Sequence, residues 1–241
     1  VSNGLTLLPA VDISGGRASQ VVGDGDGDPA RVAARWVAEG AQWLHLVDLD
    51  RAFGRGENAA LIAALAAGHG VPVQVSGGIF DEASLAVALG TNAARINLAS
   101  SALREREWVR EVVREHTERI AVGIDVRGHE VVSRGSDLRL GSLDDVLLDL
   151  DGIGCRTYVV ADASRDGSLH GADDNLFRYV AERVGGQVIA SGGVASLDDL
   201  ARLRTLADAG VSGVVLGAAL YHGAFTLEEA LEVAAADPGR P

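Results

Sequence analysis

One cysteine, Cys155, and no methionine stand in a chain of 241 residues. A lone thiol excludes an internal disulfide framework, and its apolar setting, GCRTYVV, reads as the packed entrance of a strand. Aromatic residues are only 4%, so a core has to be built from small and branched aliphatic side chains. Hydrophobic residues still reach 47% with 31 glycines, which fits a globular chain and excludes a disordered or fibrous one. Positive charge is scarce too: 21 Lys and Arg against 34 Asp and Glu leave a net charge of −13. A field of that sign repels nucleic acid and anionic membranes, so an anionic ligand must be held by a local device such as backbone amides. No window reaches the roughly 18 apolar residues of a membrane span, and VSNGLTLLPAV carries no basic leader. The expectation is a soluble, cytoplasmic chain with neither nucleic-acid nor membrane partner. The six histidines show no metal-ligand spacing, and with one cysteine there is no zinc signature, so no metal is expected.

What is present is a repeat. SGGI at 76–79 returns as SGGV at 191–194, each after a short apolar run and each leading into a helical pattern. Three further pairs follow the same order. LLPAVDISGG matches IAVGIDVRGHE, aligning Asp12 with Asp125; WLHLVDLDRAFGRGEN matches TYVVADASRDGSLHGADDN, aligning Asp48 with Asp162; ARINLASSAL matches SGVVLGAAL, aligning Ala99 with Gly217. The offsets of 113, 114, 115 and 118 residues are too regular for chance.

Each matched segment is a Val, Ile, Leu and Ala run ending in Asp or Gly, as expected of strands buried on both faces. Helical patterns separate them, at 28–40, 57–70, 81–90, 106–117, 142–154, 175–186, 196–210 and 226–236, several opening on Asp or Ser and closing on Gly. Eight strands alternating with eight helices predict a single-domain α/β fold over 1–241: a (β/α)8 barrel of two half-barrels, about 1–118 and 119–241. A doubly wound open sheet is the alternative, but its halves rarely repeat four loops in register.

In such a barrel the C-terminal strand ends form the active face. Asp12 and Asp125, on strands one and five, then face each other across the mouth. A glycine pair after a strand turns backbone N–H groups toward an anion, and a following helix adds its positive end. Ser191, Gly192 and Gly193 after strand seven, with Gly217 after strand eight, occupy the usual phosphate position. Ser76, Gly77 and Gly78, with Ser100 after strand four, form the duplicated site, where Ala99 replaces a glycine. The bland alternative is that these glycines only serve tight turns. Asp12 ends an apolar run where an unpaired carboxylate is expensive. Asp166-Gly167 is an ordinary turn signal as well as a candidate acid. Asp48, Asp50 and Asp162 read as loop braces.

Together LLPAVDI, GAQWLHLVDLDRAFGRGEN, SGGI, VGIDVRG, YVVADASRDGSLHG, VIASGGVASLDDL and FTLEEALE resemble the actinobacterial phosphoribosyl isomerase A family, among the ProFAR isomerases of the histidine pathway. The resemblance spans nearly the whole chain. It implies an Amadori rearrangement of an N-linked phosphoribosyl aminoaldose to the aminoketose, without a cofactor, on a small phosphorylated sugar substrate. A monomer is expected. Bifunctional members take both ProFAR and phosphoribosylanthranilate. The resemblance makes Asp12 the base that removes the C2 proton, Asp166 the acid that opens the ribose ring, and Asp125 a substrate-positioning group.

The departures are uneven. Gln20 stands for a substrate-contacting Arg, Phe80 for Arg, Ala161 for Thr, Ser136 for a stacking Trp, and NLASSAL for NLGTAAL; Gly217-Ala218 replaces GK. Arg134 remains, able to pair with a carboxylate. ProFAR carries two phosphates and phosphoribosylanthranilate one. With one phosphate site intact, the expectation is a member narrowed toward phosphoribosylanthranilate. The alternatives are a ProFAR-specific or bifunctional isomerase and a catalytically idle phosphate-binding barrel. The cyclase half of imidazole glycerol phosphate synthase fits less well, since PAVD lacks its usual Cys before the first Asp.

Overall fold

The computed structural model describes residues 4–19, 27–136, 138–164 and 171–235. Eight parallel strands form the frame: β1 (Thr6–Ser14), β2 (Leu44–Asp48), β3 (Val73–Ser76), β4 (Arg95–Leu98), β5 (Ile120–Arg127), β6 (Thr157–Asp162), β7 (Gln187–Ser191) and β8 (Val211–Leu216). Each pairs with its neighbours in sequence, and β8 pairs with β1, so the sheet closes and has no free barrel edge. The main helices are α1 (Pro29–Ala38), α2 (Ala59–Gly68), α3 (Glu82–Gly90), α4 (Arg106–Glu115), α5 (Leu143–Gly152), α6 (Asp174–Ala181), α7 (Leu197–Arg204) and α8 (Leu227–Ala235). The fold is the expected (β/α)8 barrel. Among the described residues no helix is long and apolar enough to cross a membrane.

Local chemistry sets the helix boundaries. Asp28, Asp81, Ser142, Asp173 and Ser196 each accept a backbone N–H in the first turn of α1, α3, α5, α6 and α7, satisfying amides that the helix itself leaves orphaned. After α1, Gly40 takes φ +99°, a left-handed conformation that costs a side chain strain but not glycine.

The strands alternate between two cores. Val11, Ile13, Leu46, Val75, Ile96, Val122 and Val160 face outward and pack with helix residues such as Trp36, Ile62 and Leu85. Leu8, Ala10, Ala121, Val159, Ile189 and Val215 face inward and fill the lumen. Burying one such aliphatic side chain is worth about 1.5–3 kcal/mol, so truncating Leu46, which is fully buried, to Ala should cost about 2–5 kcal/mol.

The pairing register reproduces the repeat residue by residue. Asp12 pairs with Val47, and Val47 with Ser76. In the other half Asp125 pairs with Ala161, and Ala161 with Ser191. Leu98 pairs with Val122 as Leu216 pairs with Pro9.

Several elements lie outside the sequence-based pattern, among them short helices at Ser100–Arg104 and Ala218–Tyr221. A strand at Arg17–Ala18 folds back on β1. The loop after β5 is a hairpin, Glu130–Val132 and Arg139–Ser142, that continues β5 by antiparallel pairing of Asp125 with Val132. A short helix, Leu49–Ala52, follows β2.

Candidate active site

Asp12 and Asp125 end opposite strands of the mouth, with three strands between them on either side. Asp12 is half-buried, and its backbone carbonyl accepts the Ser19 N–H at 2.8 Å, folding the first loop over its own strand end. Tyr221 neighbours it, donating its hydroxyl to the Ala10 carbonyl at 2.8 Å. Burial, and then the Asp12 charge, push the Tyr221 phenol up to about 12, so it stays a neutral donor.

Asp125 is buried and fully engaged. Its Oδ2 accepts from Ser100 Oγ at 2.7 Å and its Oδ1 from Arg134 Nε at 2.9 Å. Ser100 Oγ also accepts the Arg134 backbone N–H at 3.2 Å, so β5, the hairpin and the turn after β4 meet at one carboxylate. Asp125, Val132, Arg134, Ser136 and Ala163 line a recess opening beside this cluster. Arg134 keeps about half of its side chain exposed there.

The two SGG turns share a left-handed backbone. Gly77 and Gly78 have φ +104° and +64°, and Gly192 and Gly193 have +82° and +81°. Packing adds its own demand for glycine. A Cβ on Gly77 would lie 2.4 Å from the Asp48 carbonyl oxygen, one on Gly78 2.6 Å from that of Arg51, and one on Gly193 2.8 Å from that of Gly171. Gly77 and Gly78 are buried under the Leu49–Ala52 helix, whereas Ser191, Gly192 and Gly193 are half-exposed. The turns after β4 and β8 also differ: Gly217 has φ −117° and ψ −106°, while Ala99 has an ordinary extended conformation of −67° and 151°. Ser76 accepts from Asn97 Nδ2 at 3.3 Å.

The bracing carboxylates do what their positions imply. Asp48, fully buried, accepts the Asn58 N–H at 2.7 Å, Asn58 Nδ2 at 2.8 Å and the Arg51 N–H at 3.1 Å. Asp50 accepts the Gly15 N–H at 2.5 Å and Ser14 Oγ at 3.0 Å, and Asn58 Oδ1 accepts the Gly16 N–H at 3.1 Å. The loop after β1 is therefore clamped to the loop after β2. Asp162 accepts from Ser164 N at 2.8 Å. Asp166 and Gln20 lie outside the described residues.

Sequence reasoning missed a polar column inside the first half-barrel. His45, Gln74 and Arg95 face the lumen from β2, β3 and β4, and Gln74 Nε2 stands 2.9 Å from His45 Nδ1. Their signal was present: each is a polar residue on the same alternating face of its strand as Val47, Ser76 or Asn97. Burial first, then the charges of Arg134 and Arg95, pull the His45 imidazole down to about 3, so it is neutral. None of the 241 residues is lysine, so every permanently cationic side chain is an arginine.

A closed eight-strand barrel with opposed carboxylates and duplicated glycine turns at its C-terminal mouth is a (β/α)8-barrel enzyme. A family model described as "Histidine biosynthesis protein" matches residues 6–226. A protein of Saccharopolyspora erythraea is 50% identical over 236 residues, covering 94% of this chain and 97% of its own. It is named 1-(5-phosphoribosyl)-5-((5-phosphoribosylamino)methylideneamino) imidazole-4-carboxamide isomerase, as is a Thermobifida fusca protein 46% identical over 94% of this chain and 95% of its own. A Streptomyces griseus protein, 49% identical over 96% of this chain and 99% of its own, is named phosphoribosyl isomerase A. The chain belongs to the histidine biosynthesis protein family, among its phosphoribosyl isomerases.

Proposed function

We propose that this isomerase acts on ProFAR, the substrate with a phosphoribosyl group at each end, converting its aminoaldose to the aminoketose. The observation that carries this reading is the matched register of the two halves: Asp12, Val47 and Ser76 on one side, Asp125, Ala161 and Ser191 on the other. Two glycine turns related in this way suit a ligand with an anion at both ends. The relatives' names spell out two phosphoribosyl groups, which agrees.

In this reading each SGG turn holds one phosphate, Gly217 assisting the second-half turn and the Ser100 backbone N–H the first, since the Ser100 hydroxyl is engaged with Asp125. Ring opening needs an acid at the ribose oxygen, and ketose formation needs a base at C2. Asp12 serves as the base and Asp166 as the acid, while Asp125, fixed by Ser100 and Arg134, positions the substrate. The Schiff base of the reaction forms within the substrate, so the absence of lysine is no obstacle.

Phosphoribosylanthranilate is the second reading, and Arg134 favours it. Its half-exposed guanidinium borders the recess and could turn from Asp125 to a substrate carboxylate. The fuller cover over Gly77 and Gly78 points the same way.

Paired charge insertions separate the two. Ser76→Asp and Ser191→Asp each place a carboxylate where one phosphate would sit. On the two-phosphate reading both raise the KM for ProFAR more than about tenfold, with circular dichroism unchanged. If only Ser191→Asp does so, one turn grips the substrate and the first-half turn is structural.

A further inference from the structure

The polar column in the lumen carries a fixed hydrogen-bond polarity from the barrel floor to His45. At its base Arg95 lies over the Trp43 ring, the guanidinium carbon 4.4 Å from the ring centre. Arg95 Nη1 donates to Gln74 Oε1 at 3.1 Å. A guanidinium has donors only, so the Gln74 atom facing it must be the carbonyl oxygen. The other end of that amide is then the NH2 group, 2.9 Å from His45 Nδ1. An NH2 group only donates, which makes Nδ1 the unprotonated ring nitrogen and places the single ring proton on Nε2.

The barrel itself does not require this column. The repeat-equivalent residues of the second half are Val159, Ile189 and Gly213, and Val159 and Ile189 belong to the apolar lumen core. Two buried polar side chains, His45 and Gln74, stand where aliphatic ones would serve, with half-buried Arg95 behind them; they cost desolvation, and a paired chain of donors and acceptors limits that cost without removing it. Gln74 is the one hydrogen-bond partner of the His45 side chain among the described residues.

We infer that Gln74, anchored by Arg95, is a positioning residue that fixes His45 as the neutral Nε2–H tautomer and so offers the substrate one uncharged hydrogen-bond donor in the lumen. The inference rests on the isomerase reading for its use in turnover, but the tautomer itself can be read without substrate. A neutral ring suits this position because a further cation beside Arg95 and Arg134 would weaken the mouth carboxylates as bases still more. The charged groups that bear on the ring, Arg95 and Arg134, both oppose its protonation.

The test is 15N NMR of the full chain labelled at histidine, with His45 assigned by the signal missing from His45→Asn. The wild type should show a protonated Nε2 and a bare Nδ1, unchanged between about pH 8 and about pH 5, where exposed histidines titrate. In Gln74→Glu the new carboxylate can only accept, so Nδ1 must take a proton, and kcat/KM should fall about tenfold with the melting temperature nearly unchanged. A wild-type proton on Nδ1 overturns the inference whether or not any variant folds. So does Gln74→Glu if its Nδ1 gains the proton while kcat/KM holds. A wild type that turns over neither ProFAR nor phosphoribosylanthranilate overturns the isomerase reading, and the spectrum then still decides the tautomer.

Discussion

Arg134 donates its Nε–H to Asp125 Oδ1 at 2.9 Å, tying the hairpin after β5 back to the strand it leaves. Ser100 completes the arrangement from the neighbouring strand, giving its hydroxyl proton to Asp125 and accepting the Arg134 amide. Because Asp125 is buried, Ser100→Ala leaves a desolvated carboxylate short of one donor, at a cost of about 1–3 kcal/mol. Thermal melts of Ser100→Ala should fall by about 3 °C or more, and kcat/KM by about tenfold. An unchanged melt together with unchanged kinetics would remove Asp125 from the positioning role.

Asn58 should prove more important than its loop position suggests. It gives two hydrogen bonds to buried Asp48, one to Asp50 and accepts one from Gly16. Asn58→Ala removes the side-chain bonds and leaves Asp48 with fewer donors, so a loss of about 2 kcal/mol in urea denaturation is expected. Hydrogen exchange at the Gly15 and Gly16 amides should quicken in the same variant, since the clamp on the first loop is released.

The glycines of the mouth should rank by what a methyl group would meet. At Gly15, φ is +56° and nothing lies within 4 Å, so Gly15→Ala should cost about 1 kcal/mol from backbone strain alone. At Gly77 the same strain is joined by a backbone oxygen at 2.4 Å, and Gly77→Ala should cost about 3 kcal/mol or more. Equal denaturation midpoints for the two variants would refute the packing explanation of the first SGG turn.

Asp199 provides a pH signature next to the second SGG turn. Burial pushes its carboxyl up, but the Ala195 N–H, Ser196 and Arg202 together outweigh that and hold it below the usual carboxylate range. A folded value below the unfolded one means the contribution is complete above the unfolded pKa and fades as pH falls through the folded one. Asp199→Asn should therefore lie about 1 kcal/mol below the wild type at pH 7 and converge with it below about pH 3. A gap that persists unchanged in acid would contradict this.

Much of the barrel was legible in the sequence because its signals are local. Helix caps such as Asp81 and Ser196 write the boundaries of α3 and α7 directly, and the Asp12 and Asp125 strands carry continuous aliphatic runs. The hairpin at 130–142 was not legible, since its strands are three and four residues long and hold together through pairing with β5, a contact distant in character from any periodic pattern. The column of His45, Gln74 and Arg95 escaped for a related reason. Each residue alone is an isolated polar interruption of a strand, and only closure of the barrel brings the three into one chain. The cover over Gly77 and Gly78 likewise depends on a four-residue helix whose sequence, LDRA, carries no strong helical signal.

In the proposed function the two halves of the mouth together grip a substrate carrying a phosphate at each end. The most direct measurement is kcat/KM for ProFAR and for phosphoribosylanthranilate on one preparation, with Asp12→Asn as the blank. ProFAR should be the better substrate, and Asp12→Asn should abolish its turnover. Turnover of phosphoribosylanthranilate alone would contradict this, showing that one grip and Arg134 suffice and that the duplicated turn survives only as packing.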